Sequence, residues 1–185
     1  IGSSLVGSEM CIRDRFIAER CEVSFDEGAN LMPQFPVPDG YTEETWLRAE
    51  VERGLEARYQ GSVPDDVRQQ SEYELSVVSQ MGFPGYFLVV ADLVRYAREN
   101  KIRVGPGRGS AAGAMIAYAL GITELDPIKH GLLFERFLNP ERISMPDIDI
   151  DFDERRRSDM IRSAPEQDGE ERVAQLVTYA SIKAK

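Results

Sequence analysis

The fold prediction for this chain starts from PDIDIDF, residues 146–152. Its acidic and apolar residues alternate strictly, and successive side chains of a β-strand point to opposite faces. A strand here would place Asp147, Asp149 and Asp151 on one face. The opposite face would carry three apolar residues into a core: Ile148, Ile150 and Phe152. The pattern therefore predicts a half-buried strand with a row of carboxylates.

This row of carboxylates has three interpretations. Neighbouring carboxylates repel each other unless a cation lies between them, and hard divalent cations such as Mg²⁺ prefer oxygen ligands. Two such ions about 4 Å apart are the usual apparatus of in-line phosphoryl transfer. An edge strand with a solvated acidic face fits the alternation equally well. A calcium loop of the EF-hand type fits poorly, because Phe152 stands where that loop has glycine.

Composition narrows the class of protein. The chain has 185 residues, of which 42% are hydrophobic and 29% charged, as in a globular domain. A net charge of −10 argues against a surface that coats nucleic acid, which would be basic. No apolar run reaches the roughly 20 residues of a membrane span, and no secretory signal is visible. The two cysteines form no disulfide framework, which fits a reducing cytoplasm.

The two ends of the chain indicate a fragment of a longer protein. Residues 1–15 have no clear periodicity and resemble translated sequencing-adapter read-through, so we expect them to be non-native. The chain also stops abruptly at Lys185, directly after an apolar segment. A proline-rich connector covers residues 31–41.

Helices and short strands are predicted around the acidic stretch. Apolar spacing predicts three helices between residues 42 and 100, broken at Gly61 and at GFPG, residues 82–85. Further on, the pattern predicts these elements: a strand at Ile102–Val104, a helix at Ala111–Leu120, a short helix at Leu132–Leu138, a charged helix at Glu154–Gln167 that Pro165 would break or shorten, and a strand at Val173–Tyr179.

The glycine-rich loop GPGRGS, residues 105–110, is the second informative feature. Glycines let backbone N–H groups approach an anion closely, and a helix beginning at Ser110 would direct its dipole at that anion. Arg108 adds a positive charge, so the loop suits a nucleoside triphosphate. A tight turn between strand and helix is the alternative. The loop has no Lys before Ser110 and fits neither a Walker A nor a Rossmann pattern.

The glycine loop and the acidic stretch together indicate a nucleotidyltransferase. One element would hold the triphosphate, and the other would hold the metal ions that activate it. The segment between them contains Arg136 and Arg142, which are candidates for phosphate contact. Surface ion pairing with the neighbouring Glu135 or Glu141 is an equally good explanation for Arg142.

Four motifs in order resemble one family. They are GFPGYFL at residues 82–88, VGPGRGS at 104–110, LLFERFLNPER at 132–142 and SMPDIDIDF at 144–152. Together they resemble the bacterial replicative DNA polymerase III alpha subunits of the C family. The resemblance implies an incomplete α/β (α+β) palm of the polymerase-beta-like nucleotidyltransferase fold, with a mixed sheet and flanking helices. Residues 16–40 would then end the preceding PHP domain, and residues 41–185 would form the first part of the palm.

The resemblance also implies roles for single residues. Asp147 and Asp149 match two of the three catalytic aspartates of the family, which bind two Mg²⁺ ions. The third carboxylate would lie beyond Lys185. The residues expected to contact the phosphates of a deoxynucleoside triphosphate (dNTP) are Gly107, Arg108, Gly109, Ser110 and Arg136. Asp151 matches the motif but is expected to support the other two aspartates.

The function implied by the resemblance is template-directed DNA synthesis from dNTPs in the bacterial cytoplasm, near the nucleoid. Its partners would be primer–template DNA, a sliding clamp and other replisome subunits. The motifs do not decide whether the parent has 3′–5′ exonuclease activity, and we expect the fragment alone to be inactive. The alternatives are a translesion or error-prone paralogue, a non-catalytic interaction module with this fold, and a small nucleotidyltransferase that modifies proteins or antibiotics.

Overall fold

The computed structural model describes residues 13–22, 24, 34–141 and 145–168. The chain divides into two compact units, Ile1–Leu31 and Met32–Lys185. In the first unit, residues 13–18 are helical, and Arg15 Nε lies 3.0 Å from Glu19 Oε1. The second unit contains every element discussed below. The predicted strand Val173–Tyr179 lies outside the described residues.

The first long helix, α1, covers Glu43–Arg58. The Thr45 N–H donates to Thr42 Oγ1 at 3.2 Å, and the Thr42 N–H donates to Thr45 Oγ1 at 2.9 Å. This reciprocal cap satisfies donors that have no partner inside the helix. One face of α1 is buried through apolar residues spaced four apart: Leu47, Val51 and Leu55. The predicted helix is therefore confirmed.

Helices α2, Asp65–Met81, and α3, Pro84–Glu99, confirm the next two predictions. Gly82 has φ of 78°, a left-handed conformation that ends α2, and Pro84 occupies the first turn of α3. Among the described residues no single helix is long and apolar enough to cross a membrane. Helices α2 and α3 reach that length and composition only as a pair bent by 114°.

The predicted helix Ala111–Leu120 is divided in two. Ser110–Gly113 forms a 3-10 turn, Ala114 is extended (φ −96°, ψ 121°), and α4 covers only Met115–Ala119. Helix α4 is nonetheless the centre of the unit, since it packs against both α1 and α2. A Cβ atom on Gly54 of α1 would come within 2.1 Å of the Ala119 carbonyl oxygen. Glycine thus sets the close approach of α1 to α4.

Glu74 of α2 fixes the start of α4 from inside the core. Its side chain is fully buried, and its carboxylate accepts the N–H groups of Met115 and Ile116 at 3.0 Å each. The Gln70 side-chain amide donates to the same carboxylate at 2.9 Å. Burial raises the pKa of Glu74 to about 7, although the backbone hydrogen bonds oppose that rise. The Glu74 carboxyl group therefore accepts hydrogen bonds that water would accept at an exposed helix start.

The remaining elements are short. A 3-10 turn, Phe134–Arg136, stands where the helix Leu132–Leu138 was predicted. A second turn, Glu154–Arg156, leads into α5, Arg157–Asp168, which continues through Pro165 instead of breaking there. The main core takes side chains from α1 to α4 and from the turn at Phe134. A separate small core contains Ala97, Ile102 and Met160, with Phe152 and two other side chains packed against it: Tyr96 and Val104.

The predicted fold class is wrong for the part of the chain that the structure describes. The expected α/β (α+β) palm with a mixed sheet is replaced there by a helical unit. The described residues contain no β-strand, and Val104 and Phe152 form only an isolated antiparallel bridge. Neither Ile102–Val104 nor the acidic stretch becomes a strand.

Backbone conformation explains why the bridge does not grow into a ladder. The Gly105 N–H donates to the Asp151 carbonyl oxygen, and the Asp153 N–H donates to the Arg103 carbonyl oxygen, so alternate residues of this segment face the acidic segment. The next residues to face it would be Lys101 and Gly107, but their φ angles are 58° and 96°. A left-handed residue leaves the extended conformation, so the pairing stops after one bridge.

We predict that Gly54→Ala destabilises the unit by about 1–3 kcal/mol, because the added methyl group overlaps the Ala119 carbonyl oxygen. In an open helix the same change would stabilise by about 1 kcal/mol. Denaturant unfolding measures the difference. Glu56→Ala, at an exposed position of α1, is the control and should stay within about 0.5 kcal/mol of wild type. A stabilised Gly54→Ala variant would contradict the close packing.

We predict that Glu74→Gln removes part of the pH dependence of stability. The folded state holds the Glu74 proton up to about pH 7, whereas the ordinary pKa is 4.5. The folded state therefore binds more protons between these values, and the free energy of unfolding falls as pH rises through that window. Urea unfolding at several pH values should show a flatter slope in Glu74→Gln. The exposed Glu56→Gln, which breaks no ion pair among the described residues, should keep the wild-type slope, and an unchanged slope in both variants would reject the assignment.

Candidate functional site

One antiparallel contact joins the glycine loop to the acidic segment. Val104 and Phe152 form the isolated bridge, and the Gly105 N–H donates to the Asp151 carbonyl oxygen at 2.8 Å. The Asp153 N–H donates to the Arg103 carbonyl oxygen at 3.0 Å. The two features that the sequence singled out therefore lie side by side.

The acidic segment has the two faces that its alternation predicted, although it is not a strand. Asp147 and Asp151 are exposed, and the Asp149 side chain is 45% exposed to solvent. The opposite side chains are partly buried against the two cores: Ile148, Ile150 and Phe152. Alternation follows from extended backbone alone, whether or not a neighbouring strand is present.

The glycine loop packs against residues on both of its sides. Gly107 has φ of 96°, and a Cβ atom there would come within 2.7 Å of Thr123 Cγ2. Gly109 has φ of 67°, and its Cβ position lies 3.3 Å from Asp149 Oδ2. Both positions combine a left-handed backbone with a close neighbour, so glycine is needed at each. The backbone at Gly109 thereby approaches the Asp149 carboxylate.

Arg108 bridges two of the aspartates. Its Nη2 lies 3.3 Å from Asp149 Oδ1, and its Nε lies 3.4 Å from Asp151 Oδ2. The guanidinium therefore neutralises part of the repulsion within the acidic row. The sequence predicted that Arg108 would face phosphate, and in this structure its guanidinium contacts these two carboxylates. All three side chains are substantially exposed, so water and salt screen the pairs.

Ser110 is exposed at the start of the 3-10 turn, beside the loop. The expectation that a helix dipole would begin here is wrong. The first N–H groups of α4 belong to Met115 and Ile116 and donate to Glu74. What remains available to an anion is the loop backbone, the Ser110 hydroxyl and Arg108.

Arg136 is exposed on the 3-10 turn Phe134–Arg136, which packs against the turn Ser110–Gly113. A Cβ atom on Gly113 would lie 2.6 Å from the Leu133 carbonyl oxygen, so the two turns are in close contact. Within the described part of the chain the Arg136 guanidinium makes no ion pair. It is thus available near the loop, without a contact to the aspartates.

Tyr86 is a neighbour of the acidic segment that sequence reasoning missed. Its hydroxyl oxygen accepts the Ile148 N–H at 3.0 Å. Burial raises the pKa of Tyr86, the Ile148 hydrogen bond opposes this, and the charges of Asp147 and Asp149 raise it further. The signal was present in the motif GFPGYFL, but helical spacing assigned its aromatic residues to the core.

Asp147 and Asp149 are the candidates to hold a metal ion. Their carboxylates supply the oxygen donors that hard divalent cations prefer, and they lie on the accessible face of the segment. Over residues 13–22, 34–141 and 145–168, no group of three or more His, Cys, Asp or Glu side chains is arranged to hold a metal ion. The pair fits a metal site that needs a further ligand.

Comparison with known proteins identifies relatives over most of the chain. The family model described as the bacterial DNA polymerase III alpha NTPase domain matches residues 45–185. DNA polymerase III subunit alpha of Mycobacterium tuberculosis H37Rv is 57% identical over 177 residues, which cover 95% of this chain and 15% of that protein.

Relatives with lower sequence identity come from two other bacteria. DNA polymerase III subunit alpha of Aquifex aeolicus is 49% identical over 164 residues, covering 87% of this chain and 14% of that protein. The Bacillus subtilis protein of the same name is 47% identical over 169 residues, covering 91% and 15%. The chain thus spans about 15% of the length of the curated relatives that it matches.

We predict that Arg108→Gln changes the free energy of unfolding by less than about 1 kcal/mol, because exposed ion pairs contribute little. The change should shrink further at about 1 M salt, which screens exposed charges. Denaturant unfolding at low and high salt measures both effects. Arg155→Gln, an exposed arginine after the acidic segment, is the matched control. A loss much above 1 kcal/mol that persists at high salt would mean that the Arg108 bridge is structural.

Proposed function

Because the chain belongs to the family of bacterial DNA polymerase III alpha NTPase domains, we propose that it supplies the nucleotide- and metal-binding part of a DNA polymerase. The observation that carries this proposal is the contact between the glycine loop and the acidic segment. The Cβ position of Gly109 lies 3.3 Å from Asp149 Oδ2, so a triphosphate on the loop would lie beside metal ions on the aspartates.

Each part of the site has a proposed role. Asp147 and Asp149 would hold Mg²⁺, which when bound would activate the primer 3′-hydroxyl and neutralise charge on the triphosphate. The loop from Gly107 to Gly109 would offer backbone N–H groups to the phosphates of a dNTP, and Ser110 its hydroxyl. Arg136 would add a positive charge from the neighbouring turn. Asp151 would support the site by holding Arg108 beside the loop until a dNTP binds.

Arg108 has two alternative partners under this proposal. In this structure it pairs with Asp149 and Asp151. A triphosphate carries more negative charge than either carboxylate, and guanidinium binds phosphate oxygens well. We therefore propose that Arg108 turns to the phosphates when Mg²⁺ and a dNTP bind. Because Arg108 and its partners are exposed, breaking these ion pairs should cost less than about 1 kcal/mol.

The activity of the whole protein is proposed from its relatives. We propose template-directed synthesis of DNA on a primer–template in the bacterial cytoplasm, with a sliding clamp and other replisome subunits as partners. The chain corresponds to about 15% of these relatives, and the described residues offer only a pair of aspartates for metal. We therefore expect that synthesis needs the remainder of a polymerase.

The test uses a full-length polymerase that carries this sequence. Asp147→Asn and Asp149→Asn should each reduce nucleotide incorporation by at least about 100-fold, because a neutral amide is a poor Mg²⁺ ligand. Primer extension measures incorporation, and thermal unfolding shows whether the variants remain folded. Glu154→Gln, an exposed residue after the segment, is the control and should retain activity. Normal incorporation by a folded Asp149→Asn enzyme would reject the assignment.

A further inference from the structure

The backbone around Asp147 and Asp149 lacks the support that a sheet would give. Among the described residues, the backbone pairing of this segment starts at Asp151 and Phe152, after both aspartates. Between Pro146 and Ile150, the Ile148 N–H is the backbone group that makes a hydrogen bond to another described part of the chain. Its acceptor is a side chain, the hydroxyl oxygen of Tyr86.

Tyr86 is well placed to hold that backbone. It lies in the first turn of α3, which begins at Pro84, and its ring is half-buried. The ring meets Phe87 edge to face, with centroids 6.1 Å apart, and Phe87 is fully buried. A tyrosine has few rotatable bonds, so a ring packed in this way presents its hydroxyl at a fixed point.

We propose that Tyr86 is a positioning residue for Asp147 and Asp149, acting through the N–H of the residue between them. Ile148 separates the two aspartates, so the orientation of its peptide group sets the direction of both carboxylates. The Tyr86 hydroxyl thus accepts the backbone N–H that a neighbouring strand would accept in a sheet. The inference rests on the proposed function, since it concerns the geometry of the same aspartates.

The first test measures the hydrogen bond itself and needs no metal ion. Tyr86→Phe keeps the ring and removes the acceptor, so the Ile148 amide should exchange its hydrogen about five-fold faster. Amide exchange followed by NMR gives this rate. Tyr96→Phe, on the same helix, is the matched control because the Tyr96 hydroxyl makes no hydrogen bond among the described residues. Unchanged Ile148 exchange in Tyr86→Phe would overturn the proposal.

The second test asks whether the hydrogen bond positions the carboxylates. Mn²⁺ titration of the 185-residue chain, followed by electron paramagnetic resonance, should give binding about 3- to 10-fold weaker in Tyr86→Phe than in wild type. Tyr96→Phe should bind as wild type does, and Asp149→Asn should bind least. Equal Mn²⁺ affinity in wild type and Tyr86→Phe would overturn positioning, even if the exchange rate rises.

The two tests separate this inference from the proposed function. A wild-type chain that binds no Mn²⁺ would count against the metal site of the proposed function. The exchange rate of the Ile148 amide would still decide whether Tyr86 holds the segment. Equal melting temperatures of Tyr86→Phe and Tyr96→Phe would show that any loss of Mn²⁺ affinity is local.

Discussion

The buried carboxylate of Glu74 is the interaction on which the rest of the unit depends. It lies within the core and accepts the first two N–H groups of α4, which would otherwise be buried without partners. Through it α2 holds α4, and through Gly54 α1 packs on the other end of the same short helix. A helix of five residues has little stability of its own, so these two contacts fix its place.

The candidate site follows from this anchoring. The glycine loop precedes α4 in the chain, and Thr123 follows α4. Gly107 of the loop packs against Thr123. The loop is therefore held from one side by the core and from the other by the bridge between Val104 and Phe152. Asp149 comes to lie beside Gly109 and Arg108 without a sheet. A single bridge is sufficient because the apolar face of the acidic segment is anchored in both cores.

Sequence reasoning succeeded where a pattern is local. The long helices α1, α2 and α3 were predicted because apolar spacing, caps and glycine breaks all agree within each segment. It failed where the outcome depends on distant partners. The sheet was inferred from one alternating stretch, but left-handed backbone at Lys101 and Gly107 ends the pairing on either side of the bridge. The helix at Ser110 was inferred from composition, but Glu74 fixes a later start at Met115.

The sequence by itself determined the membership of the chain in its family, its three long helices and the two-faced character of PDIDIDF. Those properties reside in consecutive residues, because alternation and helical spacing are set by backbone geometry. Only the tertiary structure decided what each polar group contacts. Arg108 pairs with Asp149 and Asp151, and Tyr86 accepts the Ile148 N–H across a long separation in the chain. Such contacts depend on how the helices pack, since packing chooses among many side chains that are chemically able to form them.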